Sequence, residues 1–215
     1  MTRPVLYVLA GVNGAGKSSI GGYLLERDGL TWFNPDAFAR ELKAATGWDQ
    51  ETANAHAWQE GMRRLDEAIA KGLNHAFETT LGGKTVTAKI LEATRTHDVL
   101  IWFCGLSSPE LHIARVKARV AAGGHPIPEE KIRERYPLAQ LNLIKLMRHV
   151  AYIKVYDNSA EAGTDGVVPD PLLVLEMENR KVVFPARDDL ETLQRAPQWS
   201  KSILEAALRG GPTRD

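Results

Sequence analysis

The sequence contains a single cysteine, Cys104, among 215 residues. One cysteine cannot form an intramolecular disulfide, so the sequence is not that of a small secreted domain held together by disulfides. Cys104 lies in an apolar run at residues 100–106, which predicts a buried side chain rather than a reactive thiol. These observations favour a reducing compartment, and we expect a cytoplasmic protein.

Long apolar runs and an excess of one charge are also lacking. No stretch approaches the roughly 20 apolar residues of a transmembrane helix, and the short run before the first glycine-rich segment does not fit a signal peptide. The 27 basic and 27 acidic residues give a formal net charge of zero, so the composition does not favour binding to nucleic acid or to an anionic membrane. Without repeats or linkers, residues 1–215 are predicted to form one domain.

The most informative motif is GVNGAGKS at residues 11–18, which follows an apolar run at residues 5–10. It fits the phosphate-loop (Walker A) pattern G-x-x-x-x-G-K-[ST], whose backbone N–H groups surround a polyphosphate. Lys17 is expected to reach the β- and γ-phosphates, and the Ser18 hydroxyl to bind Mg²⁺. The residues predicted to bind the nucleotide are Gly11, Asn13, Gly14, Ala15, Gly16, Lys17, Ser18 and Ser19.

Apolar strand patterns alternate with helical patterns along the chain. This alternation predicts an α/β fold with a mostly parallel central sheet, and together with the phosphate loop it predicts a P-loop NTPase three-layer sandwich. The most apolar strand is predicted to be central and buried on both faces. The predicted helices are 18–27, 37–46, 50–72, 85–96, 110–122 and 188–208; the predicted strands are 5–10, 30–33, 73–80, 97–104, 151–156, 172–176 and 181–184, the last two forming a C-terminal hairpin.

Polar residues follow two of the predicted strands, where an α/β sheet binds its ligands. Asp36 comes after Asn34-Pro35 and has two interpretations: the N-cap of the next helix, or a general base facing the phosphate loop. Glu78, Thr79 and Thr80 end another strand. In a functional interpretation they contact a hydroxylated acceptor or an Mg²⁺-bound water. The alternative is that they form a solvated strand end without a ligand. Because no acidic residue ends the most apolar strand, Mg²⁺ binding is expected to depend on Ser18 with Glu78 or Asp36.

Basic residues cluster on both sides of the glycine- and proline-rich segment GGHPIP, residues 123–128. This pattern predicts a helical lid over about residues 115–148, whose arginines contact the phosphates of a nucleotide. The alternative is a pair of solvated helix faces with ordinary surface arginines. Pro137 is expected to kink or interrupt the second helix of the lid. The arginines and lysines concerned are Arg115, Lys117, Arg119, Lys131, Arg133 and Arg135.

The long helix predicted at residues 50–72 carries an apolar stripe. Trp58, Met62, Leu65 and Ile69 recur at helical spacing, which is typical of side chains that face the core. We therefore expect all four to be buried.

Taken in order, GVNGAGKS, NPD, FETTLGG, GGHPIP and YDNS resemble the motifs of the zeta-toxin family of small P-loop kinases. The resemblance covers roughly the first three quarters of the chain. It implies a kinase core in which ATP with Mg²⁺ donates a phosphoryl group and an aspartate deprotonates a sugar hydroxyl. The best-studied members of the family phosphorylate UDP-N-acetylglucosamine, and several are held inactive by an antitoxin.

The resemblance also implies roles for individual residues. Lys17 would bind phosphate, Ser18 would hold Mg²⁺, and Asp36 would be the base. Glu78, Thr80 and, by its position, Thr79 would lie near the acceptor. Arg119 and Arg133 would contact the γ-phosphate, and Arg135 would replace one of them if the register of the lid differs. Arg135 is otherwise expected at the substrate. The family usually places an arginine soon after the aspartate, whereas Ala37-Phe38-Ala39 precedes Arg40 here, so the acceptor pocket is expected to differ.

Other functions remain open at this stage. A P-loop NTPase switch would hydrolyse nucleotide to change the conformation of a partner, and a small-molecule kinase could use a nucleoside, a dinucleotide or an antibiotic as acceptor. A nucleic-acid end kinase is disfavoured by the neutral charge. We expect a small-molecule acceptor, most specifically a UDP-amino-sugar, and a possible antitoxin partner.

Overall fold

A computed structural model of the chain describes residues 2–18, 21, 31–161 and 168–209. These residues contain a six-stranded sheet in the order β2-β1-β3-β4-β5-β6. The first four strands in this order are parallel, whereas β5 and β6 are antiparallel. The strands are β1 (Val5–Ala10), β2 (His75–Thr79), β3 (Asp98–Gly105), β4 (Tyr152–Asp157), β5 (Leu172–Glu178) and β6 (Lys181–Phe184).

Helices flank this mostly parallel sheet, which confirms the predicted α/β fold class. Several begin where the sequence offers a side-chain cap: Asn34, Asp49 and Ser108 each accept hydrogen bonds from the first turn that follows. Across the described ranges, every helix is too short or too polar to cross a bilayer. The helices are α1 (Pro35–Thr46), α2 (Gln50–Lys71), α3 (Lys84–Ala93), α4 (Pro109–Ala121), α5 (Glu129–Leu146), α6 (Leu190–Arg195) and α7 (Lys201–Arg209), with a 3₁₀ turn at Gln198–Ser200.

Three predictions about the elements are corrected by the structure. β3 is central, but residues 98–103 alternate between buried and half-buried, so one face is only partly covered over most of the strand. Pro137 lies inside α5 and does not interrupt it. The single helix predicted at 188–208 is instead α6, the 3₁₀ turn and α7, because Pro197 has no N–H to continue the helical hydrogen bonds.

The segment before α1 extends the sheet edge by one residue. Phe33 forms an isolated parallel bridge with Phe77 in β2. Thr31 and Trp32 lie outside any strand, so the strand predicted at 30–33 is reduced to this bridge. Leu30 and most of the helix predicted at 18–27 lie outside the described residues. The bridge places the start of α1 beside the carboxyl end of β2.

The C-terminal segment is anchored to the sheet by Trp199. Its ring packs against the backbone of Gly105 at the end of β3, and its indole N–H donates to Asp157 Oδ1 at 2.9 Å, at the end of β4. Trp199 belongs to the main core cluster, together with buried residues of β4, β5 and α7. Trp199 therefore packs against the ends of β3 and β4, which lie at the same edge of the sheet as the phosphate loop.

Candidate active site

The phosphate loop leaves the carboxyl end of β1 between two strand ends. Gly14 has a φ of +84°, and a Cβ there would lie 2.8 Å from the carbonyl oxygen of His112, so this position requires glycine. Two side chains from other parts of the chain donate hydrogen bonds to backbone carbonyls of the loop. His112 Nδ1–H donates to the Asn13 carbonyl at 2.9 Å, and Asn158 Nδ2 donates to the Ala15 carbonyl at 3.0 Å.

Lys17, Ser18 and Glu78 form one polar group at the loop. The Lys17 ammonium is 7% exposed and lies 3.3 Å from Glu78 Oε1, while the Ser18 hydroxyl donates to Glu78 Oε2 at 2.8 Å. A hydroxyl oxygen beside a carboxylate is the kind of donor set that Mg²⁺ prefers, so these residues fit the metal that the motif implies. The structure therefore brings the predicted phosphate and metal residues together.

Asn34 is a site residue that the sequence did not reveal. Its Oδ1 accepts hydrogen bonds from the backbone N–H groups of Asp36 and Ala37 at 2.9 and 3.1 Å, and its Nδ2 donates to Glu78 Oε2 at 3.0 Å. One amide side chain therefore caps α1 and fixes the carboxylate beside the loop. An asparagine before proline indicates a helix start, but nothing in the sequence indicates the second contact.

Asp36 is therefore not the N-cap of α1, which corrects one of its two interpretations. It lies at the second position of the helix, after Pro35, and its side chain is 39% exposed in the cleft. Two basic groups from the other side face it: Arg119 Nη1 is 4.0 Å from Oδ2, and His125 Nε2 is 3.8 Å from Oδ1. The carboxylate is available to a ligand, and His125 is a second residue that sequence reasoning missed.

The two arginines predicted on α5 point to different places. Arg133 Nη1 forms an exposed ion pair with Glu110 at 2.6 Å, so the structure does not bring it to the phosphate loop. Arg135 packs over Gly82 and donates from Nη1 to Asn13 Oδ1 at 2.8 Å. Of these two side chains, Arg135 is the one that contacts the loop.

A cleft of about 450 Å³ joins these groups. Its polar lining includes Asn13, Lys17, Asp36 and Arg135 together with Glu78, Thr79 and Thr80. Apolar side chains form another part of the wall. They include Phe33, Trp58, Met62, Phe77, Val86 and Ile127.

Trp58 in this wall was predicted to face the core. Its side chain is instead 52% exposed, while Leu65 on the same helix is fully buried. Helical spacing identified the correct face of α2, but part of that face forms the cleft rather than the core. Trp58 therefore offers an aromatic surface to a ligand.

Two buried groups near the loop have strongly shifted pKa values. Burial lowers the pKa of His112 to about 4, against the opposing effect of its hydrogen bond to Asn13, so the ring is neutral near pH 7. Burial also raises the pKa of the Cys104 thiol to about 12, which fits the predicted inert core cysteine.

Ser19, predicted at the nucleotide, lies outside the described residues. Elsewhere in the described chain, His, Cys, Asp and Glu side chains form no group of three that could hold a metal.

Solved structures with similar folds support the assignment of the fold. The AvrRxo1-ORF1:-ORF2 complex with ATP superposes with a TM-score of 0.66 at 15% identity; the match covers 92% of this chain and 65% of that one, so this chain is similar to only part of that protein. A structure from the PezAT chromosomal toxin-antitoxin system of Streptococcus pneumoniae has a TM-score of 0.56 at 17% identity, covering 95% of this chain and 88% of that one.

Sequence comparison supplies the family. An uncharacterised protein of Haemophilus influenzae is 26% identical over 144 residues, which is 63% of this chain and all of that protein. The family model for zeta toxin matches residues 1–163, which is more than half of the chain and includes every site residue described above. The chain therefore belongs to the zeta toxin family, and its fold is that of a P-loop kinase.

Proposed function

We propose that this protein transfers the γ-phosphoryl group of ATP to a hydroxyl of a small molecule bound in the cleft. The observation that carries the proposal is that Asp36, in α1, and Lys17, in the phosphate loop, line the same cleft. A hydroxyl placed between them is within reach of both a carboxylate base and the end of a bound triphosphate. This arrangement suits in-line transfer, in which positioning and charge stabilisation supply most of the catalysis.

In the proposed reaction, the acceptor oxygen forms a bond to the γ-phosphorus as the bond to the bridging oxygen of ADP breaks. Asp36 takes the proton of the hydroxyl. Lys17 leaves Glu78 to neutralise charge on the phosphates, and Arg135, which already contacts the loop at Asn13, adds a second positive charge. Arg119 faces Asp36 from the other side of the cleft. Mg²⁺, held by Ser18 and Glu78, would neutralise phosphate charge.

We further propose that the acceptor is a UDP-amino-sugar such as UDP-N-acetylglucosamine. Family membership supports this choice, and so does the lining of the cleft, whose polar residues suit a sugar hydroxyl while the exposed ring of Trp58 suits a planar ring. We expect the protein to act in the cytoplasm. A toxin-antitoxin system is the source of one structural relative, and an antitoxin-like partner is therefore part of the proposal.

The test is a transfer assay with γ-labelled ATP and Mg²⁺ against a panel of UDP-sugars, nucleosides, dinucleotides and antibiotics. D36N should retain the wild-type Kd for ATP and lose roughly a hundred- to ten-thousandfold in transfer rate, which is the usual range for removal of a general base. E41Q, a carboxylate-to-amide change at an exposed position of the same helix, is the matched control and should leave the rate unchanged.

Three results would contradict parts of the proposal. Label on a nucleoside, a dinucleotide or an antibiotic alone would replace the UDP-amino-sugar and keep the kinase. Label released only as inorganic phosphate, with turnover stimulated by a protein partner, would favour the NTPase switch. Full transfer by the D36N protein would show that Asp36 is not the base.

A further inference from the structure

His125 is a buried histidine that the proposed reaction does not yet use. It lies in the α4–α5 loop (residues 122–128), and its side chain is only 9% exposed. Its Nε2 atom is buried and makes no hydrogen bond to any of the described residues, although it faces Asp36 Oδ1 at 3.8 Å. Because a buried polar atom without a partner is costly, the ring is expected to gain one, and the carboxylate in front of it needs an approach of about 1 Å to become that partner.

Arg119 fixes the loop that carries His125. Its Nη2 donates to the His125 carbonyl at 3.4 Å, while its Nη1 lies 4.0 Å from Asp36 Oδ2. The arginine stem lies against Gly124, where a Cβ would be 2.8 Å from Arg119 Cγ. The backbone at Gly124 therefore approaches the arginine closely, and the loop and α4 reach Asp36 together. The two basic side chains face different oxygens of one carboxylate.

We propose that His125 is a positioning residue for Asp36: it donates a hydrogen bond from Nε2 to Oδ1 and thereby orients the carboxylate toward the acceptor hydroxyl. The inference rests on the proposed function, in which Asp36 is the base. It adds a residue from the α4–α5 loop to that role, so that the position of this loop and the competence of the base are coupled. With Oδ1 bound by the imidazole, a lone pair of Oδ2 remains for the proton of the acceptor.

The charge of the imidazole matters for this role. The groups that act on it are Asp36 and Arg40 of α1, Lys43 of the same helix, and Arg119 of α4. Burial is the largest influence and lowers the pKa of His125; the three cations lower it further, while Asp36 opposes them. Near pH 7 the ring is therefore neutral, and as an uncharged donor from Nε2 it lowers the basicity of Asp36 less than an imidazolium would. Protonation at lower pH would place a cation on the carboxylate and weaken it as a base.

The experiment compares H125A and H125Q with the control H149Q. His149 is exposed and lies between α5 and the start of β4, at the amino ends of the parallel strands, whereas the site lies at their carboxyl ends. H125A should lower kcat by roughly ten- to a hundredfold, as expected when a reacting group is misplaced by about 1 Å, with the KM for ATP within about twofold. H125Q retains an N–H donor and should recover part of the rate. H149Q should match the wild type.

Two further readouts separate a positioning role from a general loosening of the loop. The acid limb of the kcat profile should lose one titrating group in H125Q, because glutamine cannot be protonated. In the D36N background, H125A should cause no additional loss, since the residue acts through Asp36. An equal loss from H125A in both backgrounds, or an unchanged kcat in H125A, would overturn the inference. Full activity of D36N alone would instead overturn the proposed base.

Discussion

At the scale of single residues, the imidazole of His112 is a titratable group in a buried position. It is 1% exposed and holds the phosphate loop through the Asn13 carbonyl, and burial lowers its pKa to about 4. The unfolded chain has an ordinary histidine pKa near 6.5. As the pH falls from about 6.5 toward 4, the unfolded state therefore takes up a proton that the folded state does not, and stability is lost over that range.

The resulting prediction concerns the pH dependence of unfolding. Between pH 7 and pH 5, the free energy of unfolding of the wild type should fall by about 2 kcal/mol more than that of H112Q, since each pKa unit corresponds to about 1.4 kcal/mol. Urea denaturation at the two pH values measures this difference. An NMR titration of the His112 ring in the wild type provides an independent check, and protonation near pH 6.5 would contradict the burial argument.

Asn34 combines two roles that can be separated by mutation. N34A removes both, and should cost about 1 kcal/mol of stability for the lost cap as well as catalytic rate. N34D keeps a good N-cap but places a second carboxylate beside Glu78, whose Oε2 accepts from the Asn34 amide at 3.0 Å. We expect N34D to unfold at nearly the wild-type temperature and to lose transfer activity. A fully active N34D would show that the contact with Glu78 is not needed.

At the scale of elements, α5 offers a matched pair of arginines. Arg135 reaches Asn13 in the phosphate loop, whereas Arg133 is paired with Glu110 on the surface. R135A should therefore lower kcat by roughly tenfold or more through the loss of a charge-assisted contact, while R133A should stay within about twofold. Steady-state kinetics with ATP measure both. The reverse order would mean that α5 rotates or shifts when the nucleotide binds.

The same helix shows why part of the site could be predicted and part could not. Residues two apart on a helix are separated by about 200°, so Arg133 and Arg135 cannot both face the loop, but the sequence does not give the phase of α5. The phosphate loop, Glu78 and Asp36 were predictable because strand ends share one edge of a parallel sheet. The roles of Asn34 and His125 depend on side-chain direction across long sequence separations, which composition and spacing do not encode.

Packing limits prediction in a second way. The apolar stripe of α2 was identified correctly, yet it could not distinguish Leu65 in the core from Trp58 in the cleft, because both environments favour apolar side chains. Pro137 was expected to kink or interrupt α5, and the structure shows that the helix is not interrupted there.

At the scale of the whole molecule, the region matched by the family model ends before the sheet does. Residues 1–163 lack every element from β5 onward, and buried side chains of β5 and α7 share one core cluster with Ile153 and Val155 of β4. A chain truncated after residue 163 should therefore aggregate or lack a cooperative thermal transition, because it exposes that core and the open edge of β4. A chain ending at Arg209 keeps every described element and serves as the control. A soluble, cooperatively folding 1–163 fragment would contradict this prediction.

The anchoring of Trp199 has an optical consequence. Its indole donates to Asp157, the last residue of β4, and the residue that follows the strand, Asn158, donates to the phosphate loop at Ala15. A fluorophore near the C-terminus is thus connected through two consecutive residues to the part of the chain that is expected to bind ATP. Its emission wavelength depends on the charge and distance of the neighbouring carboxylate, so in a variant whose other four tryptophans are replaced by phenylalanine, Trp199 would report the state of the loop without any added label.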